Sequence, residues 1–178
     1  SGSAAVILAC RLLQSGGYDH AVVCGADCPG RFIISGFQSL NAMSAEACRP
    51  FDIERQGMNL GAAAATVVLG SRLSPGRRSG GRADERIWQI GHGYIRNDAF
   101  HISTPSKTAD GLTAALQQTL EEVGKEDIAF VNAHGTATLF NDQMEAVALR
   151  RAGLSDLPVN ALKGYIGHTL EIGRASCR

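Results

Sequence analysis

A chain of 178 residues, 44% hydrophobic and 19% charged, is long enough for one domain with a sizeable core. Its 17 Lys and Arg balance 17 Asp and Glu, so the formal net charge is zero, which points away from nucleic acid or a charged membrane surface as a partner. No apolar run is long enough to cross a bilayer, and the apolar start lacks the basic flank and cleavage site of a signal peptide.

The first predicted element is a helix over residues 3–14. Its segment Ala4-Ala5-Val6-Ile7-Leu8-Ala9-Cys10-Arg11-Leu12-Leu13 is apolar almost all round, which predicts burial in a core rather than on a surface. Ser15-Gly16-Gly17 ends it. His20-Ala21-Val22-Val23-Cys24-Gly25 reads as a buried strand with a glycine exit, and residues 35–44 as a loop with helical fragments. After Cys48-Arg49-Pro50-Phe51-Asp52 and the glycines Gly57 and Gly61, residues 62–69 form a run of small and β-branched side chains. It reads as a strand whose neighbours approach closely.

Residues 71–82 have linker composition, with glycine, serine, proline and like charges. Gly80-Gly81 lacks the strand–turn–helix frame of a phosphate loop. The chain therefore divides into residues 1–71, a connecting loop 72–85, a second half 86–170, and a short tail 171–178.

In the second half, residues 86–96 read as a long strand broken by glycines, with His92 as no more than a strand residue. From Gly111, the residues Leu112, Ala115, Leu116, Thr119, Leu120 and Val123 recur at helical spacing, and Gly124 stops them. Ile128-Ala129-Phe130-Val131 suits a strand buried on both faces. It delivers His134 to a strand's carboxyl end, where open α/β sheets place ligands. Taken alone, His134 is better explained as a satisfied core histidine than as a site residue.

A second such run, Val159-Asn160-Ala161-Leu162, leads to Lys163 and His168. Two neutral imidazoles can aim N–H donors at one carbonyl and stabilise the negative charge that develops there. Between the runs, a helix is expected from about Asp142 to Arg151. Asp142 and Glu145 stand at its start, either as a capping pair with Asp142 at the N-cap or as functional groups. Lys163 is likewise either a solvated lysine or part of a site. Strands that end in glycine and alternate with helices place the chain in the α/β class.

The five cysteines, Cys10, Cys24, Cys28, Cys48 and Cys177, are scattered and odd in number. Reduced thiols in a cytoplasmic protein are the simplest reading. Cys24 and Cys28 have no second pair of ligands, so they read as small buried hydrophobes and no metal site is expected.

The segments Asn132-Ala133-His134-Gly135-Thr136-Ala137-Thr138, Asn141-Asp142-Gln143-Met144-Glu145 and Lys163-Gly164-Tyr165-Ile166-Gly167-His168-Thr169-Leu170 together resemble the C-terminal half of a β-ketoacyl-[acyl-carrier-protein] synthase. The resemblance implies part of a thiolase-like α/β/α/β/α layered fold. It implies decarboxylative Claisen condensation of malonyl-acyl carrier protein with an enzyme-bound acyl group, in fatty acid, polyene or polyketide synthesis. His134 and His168 would bind the thioester oxygen, Lys163 and Glu145 would pair and order the site, and Ser103, Thr136 and Thr138 would contact pantetheine. The implied partners are acyl carrier protein and a second subunit, in a homodimer or a related heterodimer. No cofactor is implied beyond the carrier's phosphopantetheine.

Two departures stand out: Ser103 where threonine is more usual, and Ala62 where an acidic residue is, which removes a local hydrogen bond. Ser1-Gly2-Ser3-Ala4 resembles the residues just after the family's nucleophilic cysteine. The nucleophile is thus expected within about the two residues before Ser1, where a helix N-terminus lowers a thiol's pKa. None of the five cysteines stands there, so the chain reads as a piece of a longer protein, inactive in condensation by itself.

The tail Glu171-Ile172-Gly173-Arg174-Ala175-Ser176-Cys177-Arg178 reads as translated sequencing-adapter DNA, because GAGATCGGAAGAGCGTCGTGTAGG encodes it. A non-catalytic partner subunit of the chain-length-factor kind is the rival reading. Retention of His134, His168 and Lys163 favours the enzyme. A thiolase shares the fold, but its Cys-His arrangement differs from the one here.

Overall fold

The computed structural model describes residues 2–71, 88–101 and 104–170. The expected connecting loop, Ser103 and the tail 171–178 lie outside the described residues. Helices and strands alternate as an α/β chain.

Helix α1 (Gly2–Gln14) buries Val6, Ile7, Ala9 and Leu13, a stripe with the three- and four-residue spacing of one helix face. Leu8 and Leu12 are exposed, so the helix is buried along one side and not all round as its composition suggested. Strand β1 (His20–Asp27) pairs antiparallel with β2 (Ala63–Gly70), from His20 opposite Gly70 to Asp27 opposite Ala63. Both strands alternate in burial. The expected fully buried strand therefore has an open face, on which Val22 and Val68 lie opposite each other.

Between them, Arg31–Ser39 forms helix α2, where a loop with helical fragments was expected from residue 35. Ile33, Ile34 and Gly36 all weaken helix propensity, which hid it.

Residues 88–96 take no strand, contrary to expectation. Gly91 and Gly93 weaken any ladder, and side chains attach the segment instead. His92 and Tyr94 both bond Glu122, and Arg96 bonds Gln118. Gly93 lies so close to α1 that a Cβ there would be 2.5 Å from Ile7 Cγ1. Helix α3 (Asp110–Leu120) ends short of Val123 and packs on α4 (Leu139–Arg151). An Arg151–Asp110 ion pair of 2.6 Å links their ends.

Strand β3 (Val131–Asn132), α4 and β4 (Val159–Asn160) form a βαβ unit with parallel strands, as a helical crossover requires. Both strands are shorter than expected. Phe130 is 59% exposed, so its run is not buried on both faces. The backbone rungs are Val131 N–H to Pro158 at 2.9 Å and Ala133 N–H to Asn160 at 2.8 Å. Lys163 begins a four-residue helix, α5 (Lys163–Ile166), rather than leaving a strand. Among the described residues, no helix is long and apolar enough to cross a membrane.

Candidate active site

His134 lies two residues beyond β3, at the carboxyl end of the parallel pair. Gly135 follows with φ +48°, and a Cβ there would come 2.5 Å from the Ala161 Cβ. Both the backbone twist and the space demand glycine. This sharp exit exposes the two ends of the His134 peptide to opposite charges. Glu145 on α4 accepts the His134 N–H at 2.8 Å and the Gly135 N–H at 2.7 Å, one on each carboxylate oxygen. Lys163 Nζ donates to the His134 carbonyl at 2.6 Å. Both side chains are buried, at 6% and 5% exposure, so charge-assisted bonds act here in a low dielectric.

Burial pushes the Glu145 carboxyl above the ordinary glutamate range. The Gly135 and His134 N–H bonds oppose this, as does Asn141 Nδ2 at 3.0 Å, while the Asp142 charge adds to it.

The capping reading of Asp142 and Glu145 is overturned. Thr138 occupies the N-cap and Leu139 the first turn, so Asp142 lies one turn in. Its carboxylate is 1% exposed and accepts the Phe51 N–H at 2.8 Å and the Ala137 N–H at 3.2 Å. Both donors are non-glycine residues with φ 62°, in the left-handed region. Arg55 Nε approaches Asp142 at 3.7 Å. Asp142 thus fixes two left-handed backbone positions, one in each half of the chain.

His168 meets His134 edge to face, with ring centroids 5.1 Å apart and planes at 84°. The Leu170 N–H donates to His168 Nδ1 at 3.0 Å. A neutral ring then carries its proton on Nε2, as a donor. The peptide of His168 is held from the first half of the chain. Its N–H donates to the Asn59 carbonyl at 2.6 Å, and its carbonyl accepts the Gly61 N–H at 3.1 Å.

Thr136 and Thr138 share a 2.7 Å hydroxyl–hydroxyl bond. His134, Glu145 and Lys163 line a cleft of about 950 Å³ together with Ser3 and Ala4 of α1 and Leu116 of α3. Thr136 and Thr138 are not among its walls. The first turn of α1 therefore opens onto the same space as His134. A second cleft, between Phe51, Val147, Leu154 and Tyr165, carries none of the site's four ionisable groups.

The structure thus brings His134, His168, Lys163 and Glu145 together. Cys48, Arg55 and Asn59 stand in the segment 48–61, which resembles the family in sequence, but sequence reasoning assigned none of them a role. Asn141 was visible only as part of the quoted segment. Chemically, the arrangement sets two imidazole rings edge to face with a buried lysine bonded to the main chain of one of them, a grouping of donors suited to stabilising a developing oxyanion.

Comparison with known proteins leads to one family. The profile of the beta-ketoacyl synthase N-terminal domain matches residues 1–74, and that of the C-terminal domain matches residues 89–173. The chain is 33% identical over 183 residues to 3-oxoacyl-[acyl-carrier-protein] synthase 2 of Rhizobium meliloti, covering 96% of this chain and 42% of that protein. It is 36% identical over 186 residues to the tetracenomycin polyketide synthase ketoacyl synthase alpha subunit of Streptomyces glaucescens, with the same coverage.

Among solved structures, the complex of the ketosynthase ApeO with its chain length factor ApeC from Xenorhabdus doucetiae superposes with a TM-score of 0.84 at 35% identity. That match covers 99% of this chain and 41% of the other. The fold is accordingly part of the ketosynthases' thiolase-like fold. This chain belongs to the β-ketoacyl synthase family, and it spans about two fifths of the length of these relatives.

Proposed function

We propose that the chain supplies the two-histidine part of a β-ketoacyl-acyl carrier protein synthase site, which performs decarboxylative Claisen condensation in fatty acid, polyene or polyketide synthesis. An acyl group rides as a thioester on a cysteine. Malonyl-acyl carrier protein loses CO2, and the resulting enolate carbon attacks the acyl carbonyl and expels the thiolate. His134 and His168 donate to the malonyl thioester oxygen and hold the negative charge of the enolate. Lys163 and Glu145 fix the His134 peptide between them. Ser103, Thr136 and Thr138 are the hydroxyls for the pantetheine arm. The edge-to-face pair His134–His168, 5.1 Å apart, carries this reading.

The resemblance puts the cysteine within about the two residues before Ser1, at the head of α1, and this is supported by Ser3 and Ala4 sharing the cleft of His134. A thiolate there gains from the helix dipole. Without it the covalent step has no nucleophile, so the chain by itself is inactive in condensation. The complete protein acts in the cytoplasm on acyl carrier protein, as a homodimer or paired with a related subunit, and needs no cofactor of its own.

The test begins with the DNA upstream of the Ser1 codon. A cysteine codon there is expected, with condensation by the parent protein falling on the order of a hundred- to a thousandfold in kcat on His134→Ala or His168→Ala. Absence of a cysteine from the two or so residues before Ser1 overturns the condensing reading and leaves a non-catalytic partner subunit.

A further inference from the structure

His134 and His168 lie on different segments, and something must set their separation. One continuous chain of bonds that reaches both segments runs through Asn59. Its side chain is fully engaged: Oδ1 accepts the Cys48 N–H at 2.7 Å, and Nδ2 donates to the carbonyls of Ser44 at 3.2 Å and Glu46 at 3.0 Å. These bonds wrap the loop 44–48 around one amide. They also place the buried Cys48, whose thiol donates to the Lys163 carbonyl at 3.0 Å. Lys163 in turn donates to the His134 carbonyl. Meanwhile the Asn59 backbone carbonyl takes the His168 N–H at 2.6 Å, and Leu60 bridges to His168 as a single parallel β-rung.

We propose that Asn59 is the positioning residue that couples the two histidine segments, through its side chain to Cys48, Lys163 and His134, and through its main chain to His168. No smaller polar residue satisfies the same three partners. Serine has one donor and cannot reach both carbonyls and the Cys48 N–H at once, and aspartate lacks the two N–H donors. The importance of the spacing for chemistry rests on the condensation reading above, whereas the coupling itself does not.

The test is amide hydrogen exchange on the 15N-labelled chain and on Asn59→Ala and Asn59→Asp, read together with the imidazole resonances of His168 and His92. Asn59→Ala is expected to speed exchange at the His168 and Gly61 amides on the order of tenfold. Neither of those amides is bonded to the Asn59 side chain. The His168 ring shifts should move while those of His92 and the amides of α3 do not. Asn59→Asp retains the Cys48 N–H acceptor and should give a smaller acceleration at the same two amides.

Unchanged exchange at His168 and Gly61, with faster exchange confined to the loop 44–48, would overturn the proposal. So would equal acceleration throughout α3 in both variants, which would make Asn59 a general stabiliser. No substrate enters these measurements. Their failure therefore leaves the condensation reading intact, and a missing upstream cysteine leaves the coupling intact.

Discussion

Glu145 meets two opposing demands. Burial disfavours its charge, while two backbone N–H groups and Asn141 favour it, and burial wins. The folded state therefore holds the Glu145 proton more tightly than the unfolded state does. The stabilisation linked to that proton is fully present below the ordinary glutamate range and is lost as pH rises through the raised folded value. In denaturant titrations across that window, the wild-type chain should lose stability relative to Glu145→Gln as pH climbs. The difference between the two curves isolates this carboxyl from the exposed Asp110, Glu122 and Asp156, whose pKa values shift downward. A constant difference from pH 4 to pH 8 would mean that Glu145 titrates as it does in the unfolded chain. At this scale His134, Lys163 and His168 were legible, because each stands among glycines and hydroxyls after an apolar run. Asn59 was not, since its importance comes entirely from partners eleven or more residues away in sequence.

Of the helices that sequence reading found, α3 follows from spacing and α1 from its apolar run, while α4 was expected only from about Asp142 and begins at Leu139. Burial is a different matter, because an apolar run does not say what will cover it. Hence β3 and β4 shrink to two residues each, and 88–96 docks through side chains instead of a ladder. The junction of two segments was equally invisible, and it holds the closest approach found at any described glycine. At Gly61, a Cβ would sit 2.0 Å from the Ile166 carbonyl oxygen. The clash is with backbone, which cannot rotate away. Gly61→Ala should therefore cost at least about 1–3 kcal/mol, lowering Tm by roughly 2–4 °C for each kcal/mol in a chain of this size. It should also strip exchange protection from the His168 amide, because it forces the 59–61 and 166–168 backbones apart. A variant that melts with the wild type and keeps that protection would show that the two segments separate freely.

Across the whole molecule, the site is assembled by contacts between the two halves: Cys48 with Lys163, Phe51 with Asp142, and Asn59 with His168. The second half brings the histidines, and the first half sets where they stand. This division explains why motifs sufficed to propose a chemistry but not the geometry that serves it. The same long-range design leaves large apolar side chains on the surface. Phe32, Ile53, Trp88 and Tyr165 are each more than 80% exposed, and the open face of the β1–β2 ladder presents Val22 against Val68. The facing valines are the part of this exposure that adjoins across a ladder, and a contiguous apolar face of that kind favours association. The chain expressed alone should accordingly self-associate as its concentration rises and take up a hydrophobic dye. Replacing the facing pair together, Val22→Thr with Val68→Thr, retains β-branched strand formers while removing apolar surface from the open face. Dye uptake and association should then fall, with the unfolding midpoint kept within about 0.5 kcal/mol of wild type, as for surface substitutions generally. A wild-type chain that sediments as a monomer and ignores the dye would show that this face needs no cover. If the double variant instead loses most of its stability, the two valines already support the fold from within.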